Sequence, residues 1–370
     1  NGKNLILTID LELQKKLFTT LAAQLKRINK QKAAAVALDP TTGEILALVS
    51  FPSYDNNLLS KKITIEDYQN LFLNEDQPLF NRVTSGEYPS GSTIKPAIAA
   101  AALNEKIIDK DTQVLSTGGL WYGNWFFPDW KSGGHGLTNI IKALADSVNT
   151  FFYLITIDSY QDYHGLGLER LINYLAKFNF GKLSLIDLPN EKNGFIPSSQ
   201  WKEEVKKEPW YPGDTLHLAI GQGDFLTTPL QIADMTAFFA NQGNVYEPHL
   251  VKAIIDDKNQ NNLILPKILY ENIIEANNVA IVREGMAAVT AWGSGRQLAS
   301  LPVDSGGKTG TAQVGNDESP HAWFTVFAPF TNSKIVLTII IENGGEGSSV
   351  AVPVADEVLN WYFTKNLPNN

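Results

Sequence analysis

Residues 33–49 read Ala-Ala-Ala-Val-Ala-Leu-Asp-Pro-Thr-Thr-Gly-Glu-Ile-Leu-Ala-Leu-Val, two apolar runs around a turn. The Pro and Gly of Asp39-Pro40-Thr41-Thr42-Gly43 supply the turn, so Ala33 to Leu38 and Glu44 to Val49 are predicted to form a β-hairpin. Upstream, Leu5, Leu7 and Ile9 alternate, and Asp10 is placed to cap a helix whose Leu17, Leu21, Leu25 and Ile28 recur at helical spacing. At the far end, Phe324 to Pro329 and Ile335 to Ile341 flank Phe330-Thr331-Asn332-Ser333 as two further strands, and Val352 to Phe363 reads as a closing helix. The expected fold is therefore α/β of the α+β type. An antiparallel sheet is built from both chain ends, roughly 1–60 and 300–370, with helices on its faces. A large helical insert occupies roughly 96–300, the whole chain 1–370 forming one domain. Leu120 to Gly136 is the least regular stretch, and Pro368 to Asn370 reads as a frayed tail.

With 370 residues, 44% hydrophobic and 10% aromatic, the chain buries a core without cross-links. Its 30 basic and 39 acidic residues, net −9, speak against nucleic-acid binding, which calls for a basic stripe. Cysteine is absent, which excludes disulfides, thiolate catalysis and thiolate zinc ligands. Apolar runs such as Ala97 to Leu103 fall far short of the ~18 residues of a membrane span, and Asn1-Gly2-Lys3-Asn4 does not read as a signal peptide.

Three strings carry the chemistry. In Ser92-Thr93-Ile94-Lys95 a serine and a lysine three positions apart share a helical face, about 5–6 Å between Cβ atoms, so the amine reaches the hydroxyl and activates it. Tyr88-Pro89-Ser90-Gly91 before it is turn chemistry, which puts Ser92 at a helix start where free N–H groups favour an oxyanion. The apolar run Pro96 to Leu103 behind it buries that helix, and desolvation is expected to push Lys95 toward the neutral base. Ser147-Val148-Asn149 sits between two apolar helical stripes as a tight turn whose hydroxyl could relay a proton and whose amide could hold a peptide carbonyl. Lys308-Thr309-Gly310-Thr311 reads as an edge strand able to pair with an extended peptide and bind its carboxylate. Two decoys repeat parts of this pattern. Ser199-Gln200-Trp201-Lys202 reads as a helix cap at Ser199 before a solvated face, and Lys131-Ser132-Gly133 reads as loop.

The set resembles the transpeptidase domain of class B penicillin-binding proteins, in their elongation-type subgroup, over essentially the whole chain. Further shared segments are Asp39-Pro40 with Gly43-Glu44-Ile45, Trp130 with Gly134-His135-Gly136, Pro209 to Thr215, Gly221-Gln222-Gly223 and Thr228-Pro229-Leu230-Gln231. The resemblance implies a peptidoglycan D,D-transpeptidase: Ser92 takes the acyl group of a D-alanyl-D-alanine stem peptide, and a neighbouring stem's amine resolves it into a cross-link. It implies Lys95 as base, Ser147 as relay and Asn149 as carbonyl ligand. Lys308, Thr309 and Thr311 would bind the substrate carboxylate, Gly310 letting it lie against the strand, and the Ser92 and Thr311 N–H groups would form the oxyanion hole. β-Lactams would stall at the acyl stage. It also implies a periplasm-facing protein held to the inner membrane by one span and a pedestal absent from this chain, with elongation-complex partners such as a glycosyltransferase acting through those missing parts. Relatives of this subgroup carry zinc on aspartates, a histidine and a cysteine. Asp129 and His135 match, but Val148 stands at the cysteine position and Ser116 to Gly119 offers no aspartate, so no zinc and no other cofactor is expected. Alternative readings are a serine β-lactamase, a D,D-carboxypeptidase, and a non-catalytic β-lactam sensor.

Overall fold

The early hairpin forms as expected in the computed structural model of the chain, which describes residues 3–255, 261–315 and 318–365. The tail at 368–370 lies outside the described residues. Strands β1 (Ala33–Leu38), β2 (Ile45–Phe51), β3 (Gly306–Ala312), β4 (His321–Ala328) and β5 (Ile335–Ile341) make one antiparallel sheet in the order β3-β4-β5-β1-β2. Both chain ends thus share a sheet, with β1 and β5 side by side at its centre, Ala35 opposite Ile339. The site depends on helices α1 (Leu11–Arg27), α2 (Lys95–Asn104), α3 (Ile140–Ala145), α4 (Asn149–Thr156), α5 (Pro229–Ala240), α6 (Ala276–Ala291) and α7 (Val352–Lys365).

Every residue of β1, β4 and β5 is buried, because helices cover both faces. On β5, Leu337 and Ile339 enter the core beneath α1 and α7, while Val336 and Ile340 enter the larger core shared with α2, α4 and α5. On that second face the hydroxyls of Thr236, Thr325 and Thr338 form a chain with links of 2.7 Å, which satisfies three polar groups that burial would otherwise leave costly. Asp10 caps α1 by accepting the Glu12 and Leu13 N–H groups, both at 3.0 Å.

Three boundaries differ from the sequence reading. The alternating Asn4–Leu7 segment does not join the main sheet; it pairs with Val251–Ile255 in a separate small sheet that leaves Leu5 and Leu7 exposed. The sheet layer accordingly begins at Ala33. Second, the irregular stretch contains a hairpin, Gly119–Tyr122 against Trp125–Pro128, and a strand Gly136–Thr138 paired with Val114–Ser116. Gly123-Asn124 is a two-residue hairpin turn with Gly123 at φ +57°, a signal masked by aromatic residues that stay exposed, Trp121 and Trp125 among them. Third, the insert is not purely helical, since Asn244–Tyr246 and Ile268–Glu271 also pair.

Because Ile339 is fully buried at the sheet centre, Ile339→Ala is expected to cost about 2–5 kcal/mol, read as a lower urea midpoint at unchanged m. A loss below about 1 kcal/mol would contradict the two-faced packing described here.

Candidate active site

The nucleophile segment is held from three sides before any chemistry is considered. Gly91–Ile94 forms a 3-10 turn that runs into α2, so the α-helix begins at Lys95 rather than at Ser92 as the sequence suggested. Proline at the second position of α2 suits that start, its missing N–H being one that a helix end leaves unpaired anyway. Gly91 donates its N–H to Gly221 at 2.9 Å, Tyr88 and Thr227 exchange backbone bonds of 2.9 Å, and the Trp323 indole donates to the Pro89 carbonyl at 3.0 Å. The shared Gly221-Gln222-Gly223 segment therefore buttresses the turn. Gly91 has φ +52°, and a Cβ there would come within 2.6 Å of the Thr311 carbonyl, so the turn packs directly on β3.

Behind Ser92, the Lys95 side chain is wholly buried. Its Nζ donates to the Ser147 carbonyl at 2.8 Å, to Asn149 Oδ1 at 2.7 Å and to Ser147 Oγ at 3.3 Å. Ser147 lies between α3 and α4 with φ +56°, a conformation a non-glycine residue keeps only when its surroundings hold it. From the edge strand, Lys308 Nζ donates to Ser147 Oγ at 2.9 Å and to the Thr309 carbonyl at 3.0 Å. One hydroxyl thus sits between two buried amines. Burial, partly offset by the Asp129 carboxylate, pushes Lys95 down to about 7. Lys308 is held well below the usual lysine range by burial first, then by Lys95, against the pull of Asp146.

Ser92, Ser147, Asn149, Thr309, Gly310 and Thr311 line one cleft of about 1300 Å³, with Lys95 and Lys308 beneath it. The eight residues predicted from the three strings converge there. Ser92 Oγ makes no hydrogen bond among the described residues, since the Lys95 amine is engaged by Ser147 and Asn149 instead. Sequence reasoning missed Ser294, whose hydroxyl lies 2.6 Å from Thr309 Oγ1; the Gly293-Ser294-Gly295 turn ahead of β3 was the available signal. It also missed the aromatic wall that Trp125, Phe126 and Tyr211 contribute.

The decoys lie apart from this machinery. Ser198, not Ser199, caps its helix, accepting the Trp201 N–H at 3.1 Å. Serine 198 is followed by the first helical residue, so the cap falls one position earlier than the spacing suggested. Lys202 pairs with Asp214 at 2.6 Å instead of facing water, whereas Glu203 to Lys207 are exposed, and Lys131-Ser132-Gly133 is an exposed loop.

Asp129 sits at the start of α4 on the wall of the same cleft, with His135 beside it, and the residues there do not fit a zinc site. Both Asp129 oxygens are taken by N–H and O–H donors, Val148 brings no ligand atom, and Ser116 bonds to Asp129 at 3.3 Å. His135 Nε2 is buried without a hydrogen-bond partner, 3.7 Å from Asp129 Oδ1, and burial lowers its pKa. Among the described residues, no cluster of three His, Cys, Asp or Glu could hold a metal ion.

Residues 33–360 match the penicillin-binding protein transpeptidase domain. The chain is 38% identical over 394 residues to peptidoglycan D,D-transpeptidase MrdA of Haemophilus influenzae, covering 99% of this chain and 57% of that protein. It thus spans little more than half the length of that relative. Pseudomonas aeruginosa PBP2, solved in complex with WCK 5153, is 35% identical at a TM-score of 0.87, with 99% of this chain and 80% of that one covered. Helicobacter pylori PBP2, solved in complex with MreC, is 30% identical at a TM-score of 0.83, covering 98% and 64% respectively. Since the match runs through all three strings and the backbone agrees at this level, the chain belongs to the penicillin-binding protein transpeptidase family.

Proposed function

We propose that the chain performs D,D-transpeptidation of peptidoglycan stem peptides, as part of a periplasm-facing, membrane-anchored protein of the elongation type. The single observation that carries this reading is Ser147 Oγ between Lys95 and Lys308 at 3.3 and 2.9 Å, with Ser92 opening onto the same cleft. Neutral Lys95 takes the Ser92 proton as Oγ attacks the penultimate D-alanine carbonyl, and the Ser92 and Thr311 N–H groups receive the oxyanion. As the C–N bond breaks, the proton taken by Lys95 passes through Ser147 Oγ, which gives its own to the departing D-alanine amine and is reprotonated by Lys95. Asn149 spends Oδ1 on Lys95, which leaves its NH₂ for a substrate carbonyl. Lys308, Thr309 and Thr311 hold the terminal carboxylate, and a second stem's amine then attacks the ester to form the cross-link. β-Lactams acylate Ser92 in the same geometry. Partners of the kind with which the H. pylori relative was solved, MreC, are expected to bind the protein as well. Among the described residues no helix is long and apolar enough to cross a membrane.

Intact-protein mass spectrometry after penicillin treatment should give one adduct, mapped to Ser92 and lost in Ser92→Ala. Rapid repeated penicillin hydrolysis would instead identify a β-lactamase, and release of D-alanine without any cross-linked product a carboxypeptidase.

Lys95 must be neutral to act as base, so acylation should rise with pH through about 7, roughly tenfold from pH 6 to pH 8, and level off above. A profile still climbing through pH 9 would return Lys95 to the ordinary lysine range.

A Cβ on Gly310 would meet Thr93 Cγ2 at 2.8 Å, Trp323 Cβ at 3.0 Å and the Ser90 carbonyl at 3.1 Å, wedging β3 from the nucleophile turn. Gly310→Ala is expected to slow acylation roughly 100-fold, the scale of a 1 Å misplacement, with far less change in thermal stability.

A further inference from the structure

The catalytic turn Ser147-Val148-Asn149 starts an eight-residue helix, α4, whose N-cap is Val148. A valine has no acceptor atom for the first N–H groups of a helix, and α4 has no side-chain cap of its own. Those N–H groups are nevertheless bonded. Asn149 N–H donates to Asp129 Oδ1 at 3.1 Å, while Thr150 N–H and Oγ1 donate to Asp129 Oδ2 at 3.0 and 2.8 Å. The same carboxylate accepts the Trp130 N–H at 3.0 Å and the Ser116 hydroxyl at 3.3 Å, and Ser116 Oγ in turn accepts the His135 N–H at 3.2 Å. Asp129 comes from the end of the Trp125–Pro128 strand, twenty residues earlier in the chain. Trp130, its neighbour, donates its indole N–H to the Asp146 carbonyl at 2.9 Å, one residue before the strained Ser147.

We propose that Asp129 is a positioning residue for acyl transfer: its carboxylate caps α4 from outside the helix and so holds Ser147 and Asn149 in register with Lys95. The inference rests on the acyl-transfer reading above and adds to it a residue that touches no substrate. The charge on Asp129 serves the helix N-terminus, where a negative group is favoured, and favours the ammonium form of Lys95. The other charged group facing Lys95 is Lys308 from β3, itself acted on by Asp146 at the end of α3, and the Phe152 ring lies 5.0 Å from Lys95 Nζ on the α4 side.

The test compares Asp129→Asn with the double variant Asp129→Asn/Val148→Ser, using a chromogenic cephalosporin and a pH series. Asparagine keeps the shape but offers one acceptor oxygen, and its NH₂ opposes the donors on Thr150. The single variant should acylate roughly 10- to 100-fold more slowly, and its acid limb should move to lower pH because the carboxylate that favoured the ammonium is gone. Serine at 148 gives α4 an acceptor at its own N-cap, so the double variant should recover most of the rate while the limb stays shifted. A single variant with the wild-type rate and limb overturns the proposal, as does a rate loss that serine does not rescue with the limb unmoved. Should neither variant fold, hydrogen exchange in the wild-type chain decides: Asn149 and Thr150 amides should exchange far more slowly than Ala276 and Asn277 in the uncapped first turn of α6. Equal rates would refute the cap. Failure of the wild-type chain to acylate at all would instead reject the transpeptidase reading, which the amide measurement does not depend on.

Discussion

The arrangement depends on burying two lysine amines around a single serine hydroxyl. Removing an ammonium from water is expensive, and two of them within hydrogen-bond reach of Ser147 Oγ repel each other as well. The fold tolerates this because carbonyls of Ser147 and Thr309 and the Asn149 amide accept what the amines donate. The result is an amine that titrates near neutrality where an exposed lysine would stay protonated. The cost in stability has a defined sign. Lys95 titrates lower folded than unfolded, so its burial opposes folding fully below about pH 7, and that opposition is relieved as pH rises toward the ordinary lysine range.

That site needs a rigid support, and the sheet supplies it. β3 is an edge strand whose inner neighbour β4 is buried along its whole length, so Lys308 to Thr311 project from a fixed ledge. Trp323 of β4, fully buried, reaches through to bond the Pro89 carbonyl, which ties the nucleophile turn to the same ledge. Tyr88 adds a second tie: its hydroxyl donates to Glu342, which also pairs with Arg82 at 2.8 Å. Burial and the neighbouring Glu342 carboxylate raise the Tyr88 pKa, so this hydroxyl stays a donor.

Around Asp129, hydrogen bonds take up the carboxylate. Zinc binds only when several ligand atoms converge with open lone pairs. In this chain the Asp129 lone pairs are occupied by N–H and O–H groups around the start of α4. A cap made by a residue twenty positions away ties the aromatic hairpin on the cleft wall to the turn that carries Ser147.

Much of this was legible in the residues. The hairpin at 33–49, the two C-terminal strands, the Asp10 cap and the buried α2 follow from patterns a few residues long, because backbone preference and side-chain periodicity are local. The three strings were legible for the same reason, each carrying its own chemistry in a short span. Less legible were Ser294, the hairpin at Trp125 and the start of the main sheet at Ala33, since exposure on a cleft wall or pairing with a distant strand leaves no period behind. By itself, the sequence determined which short strings hold the hydroxyl, amine and amide groups that meet in the cleft and which local elements carry them. Only the tertiary structure decided that Lys95 bonds Ser147 and Asn149 rather than Ser92, and that Asp129 caps a helix twenty residues away, because a buried polar group takes whichever partners packing brings within about 3 Å, whatever their distance along the chain.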